Sequence, residues 1–213
     1  QANIFNCGYN ISCNGSDDGE IKTIVQNGCG NLNYQWSNGD VTSSINNLPA
    51  GNFKVDVMDD WGCSANASTD LTEPIVLTAD AGPNQIVYYG YSPQSCTTLT
   101  GTSNNGGCGP YSYQWTENGN VISSSISINT CPSATSDYEF TITDQNGCSA
   151  TDMLRVCVID VRCYAGNSNV QKVEMCQIPP GNSGNQHTIC VDVSAVPAHL
   201  ANGSLLGSCS EQL

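Results

Sequence analysis

Basic residues are scarce in this sequence. Lys and Arg together number five against 19 Asp and Glu, for a formal net charge of −14 over 213 residues. Proteins bind nucleic acid by neutralising phosphates with cationic side chains, so this balance excludes nucleic acid as an expected partner, and anionic membrane surfaces with it. Aromatic residues make up only 7% and hydrophobic residues 38%, too little for one large core. Several small modules fit better, and small cores need covalent staples. No apolar run approaches the length of a membrane-spanning helix. No Cys-x-x-Cys pair occurs, which argues against zinc ribbons and thioredoxin-type chemistry. Gly-x-Ser-x-Gly, His-Glu-x-x-His and phosphate-loop motifs are also missing. With no motif that carries a mechanism, the chain is read as no enzyme.

What the sequence does hold is cysteine, 13 of them. So many widely spaced cysteines point to an oxidising, extracellular setting with structural disulfides. Gln1-Ala2-Asn3 reads as a mature N-terminus whose signal peptide has been removed. An acidic surface suits divalent cations, calcium above all.

The most informative feature is an internal repeat. Gly28-Cys29-Gly30 leads to Tyr34-Gln35-Trp36, and Gly107-Cys108-Gly109 leads to Tyr113-Gln114-Trp115 at the same spacing. A second block follows each: Phe53-x-Val55-x-Val57-x-Asp59 runs to Gly62-Cys63-Ser64-Ala65, and Tyr138-x-Phe140-x-Ile142-x-Asp144 runs to Gly147-Cys148-Ser149-Ala150. The loop between blocks is six residues longer in the second copy. Alternating apolar residues in these blocks predict half-buried strands, and Asn38-Gly39 and Asn118-Gly119 predict hairpin turns. A core Trp flanked by cysteines fits an immunoglobulin-type sandwich. The expectation is an all-β chain of tandem immunoglobulin-like β-sandwich modules, at residues 1–75 and 76–160, followed by a small disulfide-rich module at 161–213. In that last segment the run 178–182, Ile-Pro-Pro-Gly-Asn, predicts a rigid turn, Thr188–Val191 a strand, and Ser194–Leu200 a short helix capped by Ser194.

Ser12-Cys13-Asn14-Gly15-Ser16-Asp17-Asp18-Gly19, with Trp36-Ser37-Asn38-Gly39, Leu48-Pro49-Ala50-Gly51 and Asp59-x-x-Gly62-Cys63, resembles the SprB-type repeat of the very large surface adhesins of gliding bacteria. Ala79-Asp80-Ala81-Gly82-Pro83-Asn84-Gln85, followed by Tyr113-Gln114-Trp115 and Asp144-x-x-Gly147-Cys148, resembles a PKD-like, immunoglobulin-type module of such proteins. The tail is similar to a cysteine-rich segment near their ends, through Cys176, His187-Thr188-Ile189, Ala195 to Leu200 and Cys209. The resemblance implies a secreted or cell-surface location, adhesive or structural work, and often export by the type IX route. It also implies the pairs Cys13–Cys63 and Cys96–Cys148. Cys29 and Cys108 then need partners, with Cys7 and Cys131 as local candidates. Cys163, Cys176, Cys190 and Cys209 remain for the tail, and Cys157 is left over as a buried thiol or a link to another chain. Connectivity itself does not follow from sequence.

Three further sets of residues carry expectations. Asp17, Asp18 and Glu20, and Asp56, Asp59 and Asp60, form loop clusters that suit calcium, though strand-end carboxylates also build turns. His187 and His199 are the only histidines, and Gln177 and Asn202 stand where similar tails carry His, so a tail metal site is depleted. Trp61, Tyr88, Tyr89 and Tyr91 are the aromatic candidates outside the predicted core strands, either as a platform for glycans or as packing between modules. Asn10, Asn14, Asn66 and Asn202 lie in glycosylation sequons, read as coincidental in a bacterial protein. Two functions follow as expectations. One is a non-enzymatic filament subunit that self-associates head to tail through edge or donated strands. The other is a carbohydrate- or surface-binding module of a larger adhesin.

Overall fold

Trp36 and Trp115 mark the centres of two β-sandwiches, each almost wholly removed from solvent. The computed structural model describes residues 1–166, 169–179 and 183–210. Most of the turn read at 178–182 lies outside them. The chain divides into two compact units: residues 1–79, 103–113 and 141–151, and residues 80–102, 114–140 and 152–213. The first unit thus takes in two loops of the second repeat that sequential cuts near 75 and 160 assign elsewhere.

The first sandwich uses five strands: β1 (Gly19–Lys22), β2 (Leu32–Trp36), β3 (Ser44–Leu48), β4 (Gly51–Asp59) and β5 (Ser64–Leu71). β1 pairs with β3, and β2, β4 and β5 form a second sheet in that order. Phe53, Val55 and Val57 alternate with exposed residues along β4, so one face of the strand is apolar. That face closes on Ile11, Ile21, Trp36, Ile45, Leu48 and Leu71, which together form the core. Trp36 donates its indole N–H to the carbonyl of Thr42 at 2.8 Å, so burying the ring strands no donor.

The second repeat adds β6 (Ala79–Asp80), β7 (Gln85–Tyr89), β8 (Thr97–Thr100), β9 (Thr102–Ser103), β10 (Ser112–Glu117), β11 (Asn120–Ser123), β12 (Ser127–Thr130), β13 (Ser136–Thr143) and β14 (Ser149–Asp160). One sheet runs β11-β10-β13-β14-β7, while β12 pairs β8 and β6 pairs β9. β7 lies parallel to β14, with Val87 opposite Val158. Val87, Leu99, Trp115, Tyr138, Phe140, Leu154 and Val156 are buried. The Trp115 and Phe140 rings meet at 5.0 Å between centroids. Tyr138 is buried, and its hydroxyl donates to Glu117 at 2.8 Å and lies 2.8 Å from the Thr130 hydroxyl. Burial chiefly, with Glu117 assisting, pushes this phenol up to about 12.

The two Asn-Gly turns differ. Asn118 and Gly119 both take positive φ, 48° and 81°, and join β10 to β11 in the tight hairpin that such a pair favours. At Asn38-Gly39 only the glycine does, and the next strand, β3, crosses to the other sheet, so no two-stranded hairpin forms there. The longer loop of the second copy provides the extra strand β11.

The tail folds as β15 (Arg162–Cys163), β16 (Lys172–Gln177), β17 (His187–Val191), α1 (Val196–Ala201) and β18 (Leu205–Leu206). β16 pairs with the other three tail strands. Ser194 does not cap the helix. It lies inside a 3₁₀ turn, Val193–Ala195, and α1 starts after Ala195 with a proline in its first two positions, where the missing N–H costs least.

Gly101 is fixed by packing, because a Cβ there would stand 2.2 Å from the Phe140 ring. Gly101→Ala is expected to cost about 1–3 kcal/mol through overpacking, read by denaturant unfolding.

Candidate functional site

The matched blocks build the same turn twice. In the first repeat Asp59 ends β4. Its carboxylate accepts backbone N–H groups from Cys29 at 3.1 Å, Trp61 at 3.0 Å and Cys63 at 2.9 Å. In the second, Asp144 follows β13 and accepts from Cys108 at 2.7 Å, Asn146 at 2.9 Å and Cys148 at 2.9 Å. The backbone closes in the same way: Asp59 N–H donates to Cys63 and Gly62 N–H to Asp59, as Asp144 N–H donates to Cys148 and Gly147 N–H to Asp144. Gly62 and Gly147 sit at φ 81° and 89°, a region closed to most side chains. The Asp-x-x-Gly-Cys spacing is therefore a turn rule: the carboxylate satisfies N–H groups that no strand pairs.

This geometry decides the fate of the acidic clusters. Asp60 accepts from the backbone and side chain of Asn31, at 2.8 and 3.0 Å. Asp18 accepts from Ser12 N–H at 3.1 Å, and Asp56 pairs with Lys54 at 3.1 Å. With Asp17 and Glu20 they were read as calcium donors. Among the described residues no three His, Cys, Asp or Glu form a group that could hold a metal ion. The carboxylates of Asp18, Asp59 and Asp60 accept local backbone N–H groups, as strand-end Asp commonly does, while Asp56 faces Lys54. His187 and His199 are likewise part of no such group.

The disulfides correct the pairing implied by the resemblance. Cys13 bonds Cys148 rather than Cys63, and Cys7 bonds Cys108. Cys96 bonds Cys131 rather than Cys148. The tail holds Cys163–Cys190 and Cys176–Cys209. Cys29, Cys63 and Cys157 are free, the first two exposed and Cys157 half-buried in β14. The reason lies in the first unit. The N-terminal loop carrying Cys7 and Cys13 lies against the Asp144 turn, where Asn146 donates to the Ser12 carbonyl at 3.0 Å and accepts from Asn6 at 2.8 Å.

The aromatic platform does not assemble. Tyr91 is buried in a core with Val161, Val173, Met175, Val196 and Leu206, and Tyr88 packs against it. Tyr89 lies under the Arg162 guanidinium, 4.4 Å from the ring centroid. The tail needs these rings as its own hydrophobic wall. Trp61 alone stays open, 79% exposed on the Asp59 turn.

Sequence reading missed two features. One is the pair of free thiols on the Asp59 turn. The other is a groove of about 600 Å³ in the first sandwich, lined by Ile24, Trp36, Phe53, Val55, Val57 and the strand Ser64–Thr69. A signal for it existed in Ile24-Val25, two adjacent apolar residues that the structure leaves exposed outside any strand. No helix among the described residues is long and apolar enough to cross a membrane.

Two sandwiches of this topology, stapled by disulfides, define a modular all-β protein of immunoglobulin-like type. Residues 9–41, within the first sandwich, match the family model of the SprB repeat. No curated protein matches the chain. Among solved structures it is similar to three N-terminal domains of the highly immunogenic outer capsid protein of bacteriophage RB49, at 14% identity over 89% of this chain and 77% of that one, TM-score 0.45. It is similar to fibronectin(III)-like modules of Clostridium thermocellum CbhA, at 12% identity over 80% and 100%, TM-score 0.35. A third likeness is to a C-terminal fragment of intimin, solved with the intimin-binding domain of its translocated receptor, at 14% identity over 64% and 56%, TM-score 0.34.

The backbone donors on Asp59, that of Cys29 foremost, hold its carboxyl below the ordinary carboxylate range, against the opposing effect of burial. A depressed folded value contributes stability above the unfolded pKa and loses it as the pH falls through the folded one. Asp59→Asn is therefore expected to flatten the acid limb of the stability–pH curve, measured by denaturant unfolding between pH 2 and 6.

Proposed function

We propose that this chain is a non-enzymatic extracellular structural protein, a filament subunit that joins copies of itself head to tail by accepting a strand from a second copy into the first sandwich. The observation that carries this reading is a difference between the two repeats. In the second, the edge of β14 is covered by β7 in cis, and Val87 of β7 is completely buried. In the first, β5 pairs only with β4 and forms the edge of its sheet. The groove beside it is floored by Trp36, Phe53, Val55 and Val57, which are core residues. An open edge offers unpaired N–H and C=O groups, and an adjoining apolar groove offers side-chain pockets. A strand that pairs with the edge and buries an apolar side chain, as β7 buries Val87, meets both needs at once.

The supporting features agree with extracellular work. Five disulfides fit an oxidising compartment. The net charge of −14 keeps copies apart except where the strand match overcomes repulsion. Adhesion to a surface then follows from the length of the assembly rather than from a pocket in one subunit.

The test is assembly of the purified chain, followed by sedimentation velocity and negative-stain microscopy. Ala67 is exposed on β5 and lines the groove opposite Val55, so Ala67→Arg places a charge in the groove. Fibres are expected for the wild type, with the critical concentration rising at least about tenfold in the variant, the effect of about 1.4 kcal/mol per contact. A wild-type chain that stays a monodisperse monomer at high concentration, with no fibres, contradicts the reading.

A further inference from the structure

Cys29 and Cys63 occupy the same repeat positions as Cys108 and Cys148. Each pair is gathered by one carboxylate through its backbone N–H groups: Cys29 and Cys63 on Asp59, Cys108 and Cys148 on Asp144. The hydrogen bonds that gather the two cysteine N–H groups on one carboxylate are thus the same in both repeats, while the glycine of positive φ follows Cys29 in the first, as Gly30, and precedes Cys108 in the second, as Gly107. In the second repeat both sulfurs are spent on one ligand, the N-terminal loop, through Cys7–Cys108 and Cys13–Cys148. In the first repeat both are free and exposed. The same gathering of two cysteines on one carboxylate is therefore present twice in one chain, once bonded to a Cys-x5-Cys loop and once with both thiols free.

We infer that Cys29 and Cys63 form a covalent acceptor for the Cys-x5-Cys loop of another β-module, bound by two disulfides in the register Cys7–Cys108 and Cys13–Cys148 already display. One difference shapes the partner. Trp61, 79% exposed, stands at the turn position of Asn146, which bonds the docked loop through its amide. The incoming loop meets an indole face there in place of two hydrogen bonds, and it must carry unbonded cysteines, unlike this chain's own N-terminal loop, which is already bonded at Cys108 and Cys148. The loop is a ligand of defined chemistry: two thiols with five residues between them on a turn. Each bond joins two thiols, releases two protons and passes two electrons to an oxidised protein disulfide of the exchange class, which leaves as a dithiol. The inference stands apart from strand donation, because it rests on the turn and not on the groove.

The probe is a synthetic peptide of residues 1–16 with both cysteines activated as mixed disulfides with thionitrobenzoate. Each thiolate of the protein attacks the peptide sulfur, and thionitrobenzoate departs with the electron pair. The purified full chain is incubated with this peptide, and adducts are mapped by mass spectrometry after non-reducing digestion. The expected product carries one peptide held by two bonds, Cys7 of the peptide to Cys29 and Cys13 of the peptide to Cys63. A peptide lacking Asn10 and Ile11 is expected to give about tenfold less of the doubly bonded product, because the second bond depends on effective concentration within the first adduct. Crossed bonds, equal yields from both peptides, adducts at one cysteine only, or a Cys29–Cys63 bond with the peptide released would each overturn the inference. Fibre formation is not read in this experiment, so its failure leaves the strand-donation reading separately testable.

Discussion

One carboxylate at the end of a core strand organises each repeat. Asp59 and Asp144 gather N–H groups that the sheets leave unpaired, and in doing so they bring together two backbone segments 34 and 40 residues apart in sequence, Cys29 with Cys63 and Cys108 with Cys148. The rest of the first unit depends on this. The turn positions the thiols, the thiols of the second repeat capture the N-terminal loop, and that capture holds Ile11 in the core of the first sandwich. A salt-screened surface interaction does not have this reach, whereas charge-assisted hydrogen bonds to backbone donors do.

Much of the fold was legible because it is local. Alternation along Phe53–Val57 and Tyr138–Ile142 reports one buried face, and Trp36 and Trp115 sit where a sandwich needs its largest ring. Cysteine pairing was not legible, because it depends on which distant loop lies against which turn. Exact repetition of Cys13–Cys63 within each module is the natural reading of a repeat, yet the covalent bonds run from the first repeat's loop to the second repeat's turn. The surroundings of the acidic clusters were not legible for a related reason. Clustered carboxylates look alike in sequence whether they face a cation or their own backbone, and here Asp59, Asp60 and Asp18 face backbone N–H groups. The tyrosines at 88–91 resemble an exposed platform until the tail is folded, because Tyr91 joins, and Tyr88 packs against, its core of Val173, Met175 and Val196.

The two repeats differ most where function is expected. The second sandwich has its edge strand, its bonded cysteine pair and its packed tail. The first has an open β5, a groove reaching core residues, and two exposed thiols on a turn that holds both in the second copy. We propose that a neighbour completes the first module, by strand pairing along the groove and by covalent bonding at the turn. The acidic surface and the disulfides suit such an assembly to an extracellular setting, where reducing agents are scarce and charge limits unspecific association.

The central claim is that the Asp144 turn binds the N-terminal loop covalently while the matching Asp59 turn keeps its thiols open. Alkylation of the isolated chain under native conditions, followed by non-reducing peptide mapping, tests it most directly. The account predicts Cys7–Cys108 and Cys13–Cys148 linkages, with Cys29 and Cys63 both alkylated. A Cys13–Cys63 linkage, or Cys29 and Cys63 both protected in the isolated chain, would contradict it.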